Sequence, residues 1–87
     1  MSFEILVKKS ALKFIESLDS KQKSRLSEAI DILKEEPVPV DSYDIIKLGG
    51  YENSYRIRLG RIRIVYEVLW NERRIIVHFA GWRENAY

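Results

Sequence analysis

The stretch YRIRLGRIRIVYEV, residues 55–68, decides the fold, because arginines alternate in it with large apolar side chains. Alternation with a period of two is typical of a β-strand that is buried on one face and exposed on the other. The alternation is interrupted at Gly60, and glycine at the first central position of a two-residue loop favours a type II′ turn. The sequence therefore predicts a tight antiparallel hairpin with Gly60 and Arg61 at its tip.

Pairing the two strands of this hairpin brings three arginines together. With a two-residue loop, Arg58 lies opposite Arg63 and Arg56 lies opposite Val65. Directly paired residues share a face of the sheet, so the three arginines are expected on one face and the aliphatic residues on the other. Opposed like charges cost stability, which favours a functional use for them. An ordinary solvated sheet face is the alternative interpretation.

Composition narrows the classes of protein to which the chain can belong. Its 87 residues suffice for one small domain, and the whole chain, 1–87, is interpreted as that domain. The absence of cysteine excludes disulfides and thiolate chemistry. No apolar run reaches the roughly 18 residues of a membrane span, so we expect a soluble cytoplasmic protein. Seven of the eight arginines follow Glu52. Because guanidinium groups bind phosphate in a bidentate manner, the second half of the chain is expected to bind anionic ligands.

The rest of the chain predicts two helices and three more strands. Apolar residues at helical spacing predict a short helix with Ser10 as its N-cap, ending near Leu18. A second helix is predicted with Asp19 or Ser20 as its N-cap, and Pro37 ends it. The additional strands are predicted at residues 3–7, 44–50 and 75–80. The order β-α-α-β-β-β-β predicts an α+β fold in which a helical hairpin packs on one face of a mainly antiparallel sheet, leaving the arginines on the other face.

His78 is the only histidine, and we expect it to pair with Glu67 across a turn centred between Glu72 and Arg73. A hydrogen bond of this kind is more often structural, and proton transfer is the alternative role. One histidine and no cysteine do not supply the three or four ligands of a metal site, so no metal is expected.

The C-terminal segment is expected to leave the last strand at Gly81 as a short tail beside the arginine face. It carries Trp82, Arg83 and Tyr87. Aromatic rings next to guanidinium groups are typical of proteins that bind single-stranded RNA. The residues predicted to bind RNA around this face are Lys47, Arg61 and Trp82.

The run IIKLGGYENSYRIRLGRIRIVYEV, residues 45–68, followed by an apolar strand and an Arg-to-Tyr tail, resembles the RelE/ParE toxin superfamily, and most of all the archaeal RelE toxins. The resemblance extends over essentially the whole chain. It implies a toxin of a type II toxin-antitoxin system, a ribosome-dependent endoribonuclease that cleaves messenger RNA by attack of a 2′-hydroxyl on the adjacent phosphate, with no cofactor. It also implies a RelB-like antitoxin as partner, in a hetero-oligomer, with the free toxin a monomer.

The resemblance further implies a set of catalytic residues. These are Arg56, Arg58, Arg63, Arg83 and Tyr87. Because arginine stays protonated, it is a poor general base, and the identity of the base stays open. Two other functions also stay open. ParE toxins share the fold and inhibit DNA gyrase by binding, and a degenerate toxin would only bind RNA or an antitoxin.

Overall fold

A computed structural model describes residues 2–85 of the chain, so Tyr87, one of the predicted catalytic residues, lies outside the described residues. Within that part of the chain the predicted element order, β-α-α-β-β-β-β, is confirmed. The helices are α1, Lys9–Glu16, and α2, Ser20–Glu35. The strands are β1, Glu4–Val7; β2, Asp44–Lys47; β3, Ser54–Leu59; β4, Ile62–Leu69; and β5, Arg74–Trp82. No helix within residues 2–85 is long and apolar enough to cross a membrane.

The five strands form one mixed sheet in the order β1-β5-β4-β3-β2. Three of its four strand pairs are antiparallel, and β1 runs parallel to β5. The prediction of an α+β fold with a mainly antiparallel sheet is therefore confirmed. Both helices cover the same face, so within residues 2–85 the opposite face of the sheet, here called the open face, has no helical layer.

The core lies between the helices and the inward-facing residues of the central strands. Leu26 and Leu33 of α2 and Tyr66 of β4 are among its fully buried side chains. The Tyr66 hydroxyl donates a hydrogen bond of 2.7 Å to the Pro37 carbonyl, which connects the central strand to the loop after α2. Burial raises the pKa of Tyr66 well above its ordinary value.

The two helices begin differently. The Asp19 carboxylate accepts a hydrogen bond of 2.9 Å from the Gln22 N–H, so the predicted N-cap of α2 is confirmed. The predicted N-cap of α1 at Ser10 is wrong, because α1 begins at Lys9 and has no side-chain cap. The N–H of Lys8 continues the β1 ladder by binding the Val77 carbonyl at 3.1 Å, and the chain turns into the helix immediately afterwards.

Strand β5 is longer than predicted and contains a β-bulge. Tyr66 pairs with Val77 and Val65 pairs with Phe79, which leaves His78 as the extra residue. Glu67 therefore lies opposite Ile76, so the predicted ladder register of His78 opposite Glu67 is wrong, although the expected hydrogen bond between their side chains is present. The preceding turn occupies residues 70–73 rather than being centred between Glu72 and Arg73.

Candidate nucleic-acid interface

The predicted arginine hairpin is present in the register expected from the sequence. Arg58 pairs with Arg63 and Arg56 pairs with Val65. Gly60 has a φ of 60°, whereas Arg61 is not among the residues with positive φ, and this combination is that of a type II′ turn. The structure thus confirms that Arg56, Arg58 and Arg63 share one face of the sheet, and this face is the open one.

The fourth arginine, Arg83, comes directly after β5, at the start of a single 3₁₀ turn. Its backbone N–H donates to the Arg61 carbonyl at 2.8 Å, which fixes the start of the 3₁₀ turn to the hairpin tip. The side chain is 63% exposed, and its Nε lies 3.7 Å from a carboxylate oxygen of Glu84. The predicted tail is wrong in its starting point, because β5 continues through Trp82. Arg83 itself lies close enough to Arg63 to perturb it electrostatically. We call Arg56, Arg58, Arg63 and Arg83 the arginine cluster.

The carboxylate of Asp44 lies among the hairpin arginines of the cluster, in addition to Glu84 beside Arg83. Asp44 begins β2 and pairs with Arg58 of β3. Its carboxylate is 2.8 Å from Arg58 Nη2 and 4.0 Å from Arg56 Nη2. The sequence did not predict this contact, because it depends on the register of β2 on β3. A carboxylate between two guanidinium groups occupies a place where a phosphate could also bind.

Arg63 is held by the hairpin turn that precedes it. Its Nη1 donates to the Gly60 carbonyl at 2.7 Å and to the Ile62 carbonyl at 3.1 Å. Partial removal from water, together with the positive charges of the other three arginines of the cluster, lowers the pKa of Arg63, and Asp44 opposes this effect. An arginine remains protonated in spite of such a shift, so the shift reports a concentration of positive charge rather than a proton donor.

Arg56 is the most covered of the ion-paired arginines of the cluster, with 21% of its side chain exposed. Its Nε is buried and has no hydrogen-bond partner among residues 2–85. A buried donor without a partner costs about 1–3 kcal/mol, and an oxygen of a bound anion is one way of satisfying it.

The residues predicted to bind RNA around the cluster lie away from it. The Trp82 ring packs edge-to-face on Phe14 of α1 at 5.1 Å between centroids, on the helical side of the sheet. Arg61 is at the hairpin tip, with its guanidinium 5.7 Å from the centre of the Trp82 ring. Lys47 pairs with Tyr55, whose side chain packs against the core, so Lys47 lies on the face of the sheet that the helices cover.

His78 and Glu67 meet on the open face, although they are not opposite each other in the ladder. His78 Nε2 lies 2.9 Å from Glu67 Oε1, and both side chains are about one-third exposed. The extra residue at the bulge directs the imidazole toward the strand that carries Glu67. No group of three or more residues that could hold a metal ion is found among residues 2–85.

Comparison with known proteins gives concordant matches. The family model of the ParE toxin of type II toxin-antitoxin systems, parDE, matches residues 5–85. The protein named RelE1, an inferred toxin of Methanocaldococcus jannaschii, is 37% identical over 87 residues, which are 100% of this chain and 97% of that protein. The archaeal RelE–RelB complex from Pyrococcus horikoshii OT3 gives a TM-score of 0.87 with 35% identity, covering 99% of this chain and 100% of the matched chain. An Escherichia coli RelE variant in the free state gives a TM-score of 0.78 with 25% identity, covering 99% and 88%.

These matches extend over both helices and all five strands, including the two strands of the arginine hairpin. The chain belongs to the RelE/ParE toxin superfamily, as the resemblance in its sequence indicated. Within that superfamily it is a RelE-like toxin of a type II toxin-antitoxin system.

Proposed function

We propose that the chain is a ribosome-dependent endoribonuclease that cuts messenger RNA. The observation that supports this best is the arginine cluster on the open face, in which the hairpin arginines lie near the carboxylate of Asp44 and Arg83 lies near Arg63. Clustered guanidinium groups bind phosphate through charge-assisted, bidentate hydrogen bonds. The unpaired Nε of Arg56 adds a buried donor at the same place.

The proposed reaction is an internal transfer on the RNA. The 2′-oxygen of one nucleotide attacks its adjacent phosphorus as its proton leaves, and the bond to the 5′-oxygen of the next nucleotide breaks as that oxygen takes up a proton. The products are a 2′,3′-cyclic phosphate and a 5′-hydroxyl. Negative charge builds up on the phosphorane oxygens in between, and fixed positive charges lower the barrier by stabilising it. The arginine cluster is assigned this role, because a guanidinium group supplies a positive charge and several hydrogen-bond donors to phosphate oxygens.

Further assignments follow from the same proposal. Tyr87 remains proposed as a catalytic residue, and Lys47, Arg61 and Trp82 remain proposed as secondary contacts with RNA or the ribosome. Arg61 and Trp82 form a cation–π pair at the hairpin tip, where a phosphate or a base could meet them. Because ribosomes are the proposed place of action, the proposed location is the cytoplasm.

The proposed silencing partner is a RelB-like antitoxin in a toxin–antitoxin hetero-oligomer. The similar archaeal RelE was solved as a complex with RelB, which supports this. An acidic partner that covers the arginine cluster would neutralise it. Co-expression of an adjacently encoded small acidic protein should restore growth and raise the melting temperature of the toxin, since a ligand that binds the folded state stabilises it.

A second candidate function is inhibition of DNA gyrase by binding, as proposed for a ParE-like toxin. The match of the ParE toxin model over residues 5–85 is the observation that favours it. This function requires no cleavage of RNA. Gyrase supercoiling in the presence of the purified chain therefore separates the two candidates.

Primer extension tests the proposed function directly. Messenger RNA in translating ribosomes is mapped with wild-type protein, with the Arg58→Ala variant and without protein. New 3′ ends inside codons are expected with the wild type and should be strongly reduced with the variant. No new ends with the wild type, together with loss of gyrase supercoiling, would establish the ParE-like alternative.

A further inference from the structure

A second concave region lies on the open face next to the arginine cluster. It has a volume of about 530 Å³, which is within the range of about 300–1,000 Å³ typical of sites for small ligands. Its apolar wall includes Leu48, Tyr51 and Val65, and its polar residues include Lys8, Glu67 and His78. We call it the Tyr51 cleft. None of the roles assigned to the arginine cluster uses it.

The apolar wall presents an aromatic ring on a defined turn. Tyr51 closes a turn with Leu48, in which its N–H lies 3.4 Å from the Leu48 carbonyl and Gly50 has a φ of 83°. A positive φ at the third residue makes this a type II turn, which only glycine adopts without strain. The Leu48 N–H also donates to the Ser54 carbonyl at 2.9 Å, which fixes the turn to the sheet. The Tyr51 side chain is nevertheless 65% exposed, so a flat apolar surface is offered to a ligand.

The polar residues of the cleft offer both an acceptor and donors. Glu67 uses one oxygen for His78, at 2.9 Å, and a carboxylate has a second oxygen with which it can accept a further hydrogen bond. Lys8 contributes an ammonium group at the edge of the cleft. A planar ligand with an apolar face and a rim of hydrogen-bonding groups is the chemistry that such a combination recognises.

The cleft is continuous with the arginine cluster. Val65, in its wall, is the residue directly paired with Arg56. Glu67 is two residues further along β4 on the same face, about 7 Å away at the spacing of a β-strand. A nucleotide whose phosphate is bound by the arginine cluster therefore has a neighbouring base within reach of the Tyr51 ring.

We propose that the Tyr51 cleft binds an unpaired nucleobase adjacent to the phosphate held by the arginine cluster. The base stacks on Tyr51 and its edge hydrogen-bonds to Glu67 and Lys8, so the cleft discriminates between bases. The proposal rests on the proposed function in taking single-stranded RNA as the ligand. Stacking of bases on aromatic side chains is the usual means by which unpaired RNA is recognised, and edge contacts supply the sequence preference.

The test measures binding of small probes to the purified chain by nuclear magnetic resonance titration. The probes are the four nucleoside 5′-monophosphates and ribose 5-phosphate, which carries the phosphate without a base. Nucleotides are expected to bind about fivefold or more tightly than ribose 5-phosphate, and to perturb the amides of Tyr51 and His78 in addition to those of the hairpin. Ribose 5-phosphate should perturb the hairpin alone.

Matched variants separate the base from the phosphate. Tyr51→Ala should abolish the difference between nucleotides and ribose 5-phosphate, whereas Tyr51→Phe keeps the ring and should preserve it. Glu67→Gln replaces a carboxylate, which only accepts hydrogen bonds, by an amide, which both donates and accepts them. The order of affinities for the four bases should therefore change. Arg58→Ala should lower the affinity for all five probes by a similar factor. Because Tyr51 is on an exposed turn, its variants should keep the wild-type circular dichroism spectrum.

The outcomes distinguish this proposal from the proposed function. Equal affinity for nucleotides and ribose 5-phosphate would overturn the base site, even if messenger RNA is cut. An equal loss of affinity for all five probes in the Tyr51→Ala variant would also overturn it. A base-dependent affinity that Tyr51→Ala removes would support the site even if no RNA is cut, and the endoribonuclease assignment alone would then fail.

Discussion

Replacement of Arg83 by alanine should separate folding from activity. Its side chain is 63% exposed, and its ion pair with Glu84 has an N–O distance of 3.7 Å. The hydrogen bond from its backbone N–H to Arg61 is kept in an alanine variant. Exposed ion pairs contribute about 0–1 kcal/mol, so we expect the free energy of unfolding to fall by less than about 1 kcal/mol.

The effect of Arg83→Ala on cleavage should be much larger. Under the proposed mechanism, the guanidinium stabilises charge that exists only in the transition state, and loss of one such contact typically costs about 10²–10³ in rate. An interaction of this kind lowers kcat and kcat/KM together, whereas loss of simple binding raises KM alone. The affinity for the ribosome should therefore change far less than the rate of cleavage.

Arg74→Ala is a suitable control. Arg74 is also on the open face, is 42% exposed, and is ion-paired with Glu4 at 3.0 Å and Glu72 at 3.6 Å. It lies at the other end of β5, roughly 30 Å from Arg83 at the spacing of a strand. The assay compares cleavage rate, ribosome affinity and circular dichroism for both variants. Wild-type cleavage by Arg83→Ala, or an equal loss in Arg74→Ala, would refute the reasoning.

Three further variants test the electrostatics, the turn and the core. Asp44→Asn removes the carboxylate 2.8 Å from Arg58 Nη2, so the affinity for RNA at low salt should rise, and a lower affinity would mean that Asp44 orients the arginines. Gly60→Ala places a side chain at a φ of 60° and should cost about 1–2 kcal/mol in denaturant unfolding. Tyr66→Phe leaves the Pro37 carbonyl without its donor and should cost about 1–3 kcal/mol at neutral pH. The pKa of Tyr66 is raised in the folded state, so its contribution to the free energy of unfolding is complete below the ordinary tyrosine pKa of about 10 and is lost as the pH rises toward the folded pKa. Thermal melts at pH 9–11 should therefore show a smaller loss of stability for Tyr66→Phe than for the wild type.

The arginine hairpin could be predicted from the sequence because all the information needed for it is local. A strand period of two and one turn glycine determine which residues are paired, and Gly60 supplies the positive φ that the turn requires. The position of Asp44 is different. It depends on how β2 aligns with β3 across a loop whose geometry the residue pattern does not specify, so its contact with Arg58 was not foreseen.

The β-bulge at His78 explains the errors in β5. One extra residue reverses the faces of all later residues, so Phe79 comes to share the open face with Val65, and Trp82 packs on the helical side. Gly81 is the one local sign of this arrangement. A Cβ at Gly81 would lie 2.7 Å from the Phe79 ring, so a larger residue there would require the ring to shift. A glycine in a strand pattern is a known sign of a bulge or a close approach.

The balance of charge within the arginine cluster indicates what the open face is suited to bind. The three arginines of the hairpin share the partly exposed carboxylate of Asp44, and Arg83 lies beside Glu84. Desolvation and the neighbouring positive charges lower the pKa of Arg63, so the unliganded cluster retains the energy of repulsion between its positive charges. A neutral ligand or an isolated base would leave that energy unchanged. A phosphate has several acceptor oxygens and a full negative charge, so it can relieve the repulsion and satisfy the buried Arg56 Nε at once. The relief is largest for the species with the most charge on its oxygens, and in phosphoryl transfer that species is the phosphorane. Under the proposed function, this excess of positive charge would stabilise the transition state more than the bound RNA, which is the requirement for catalysis rather than binding.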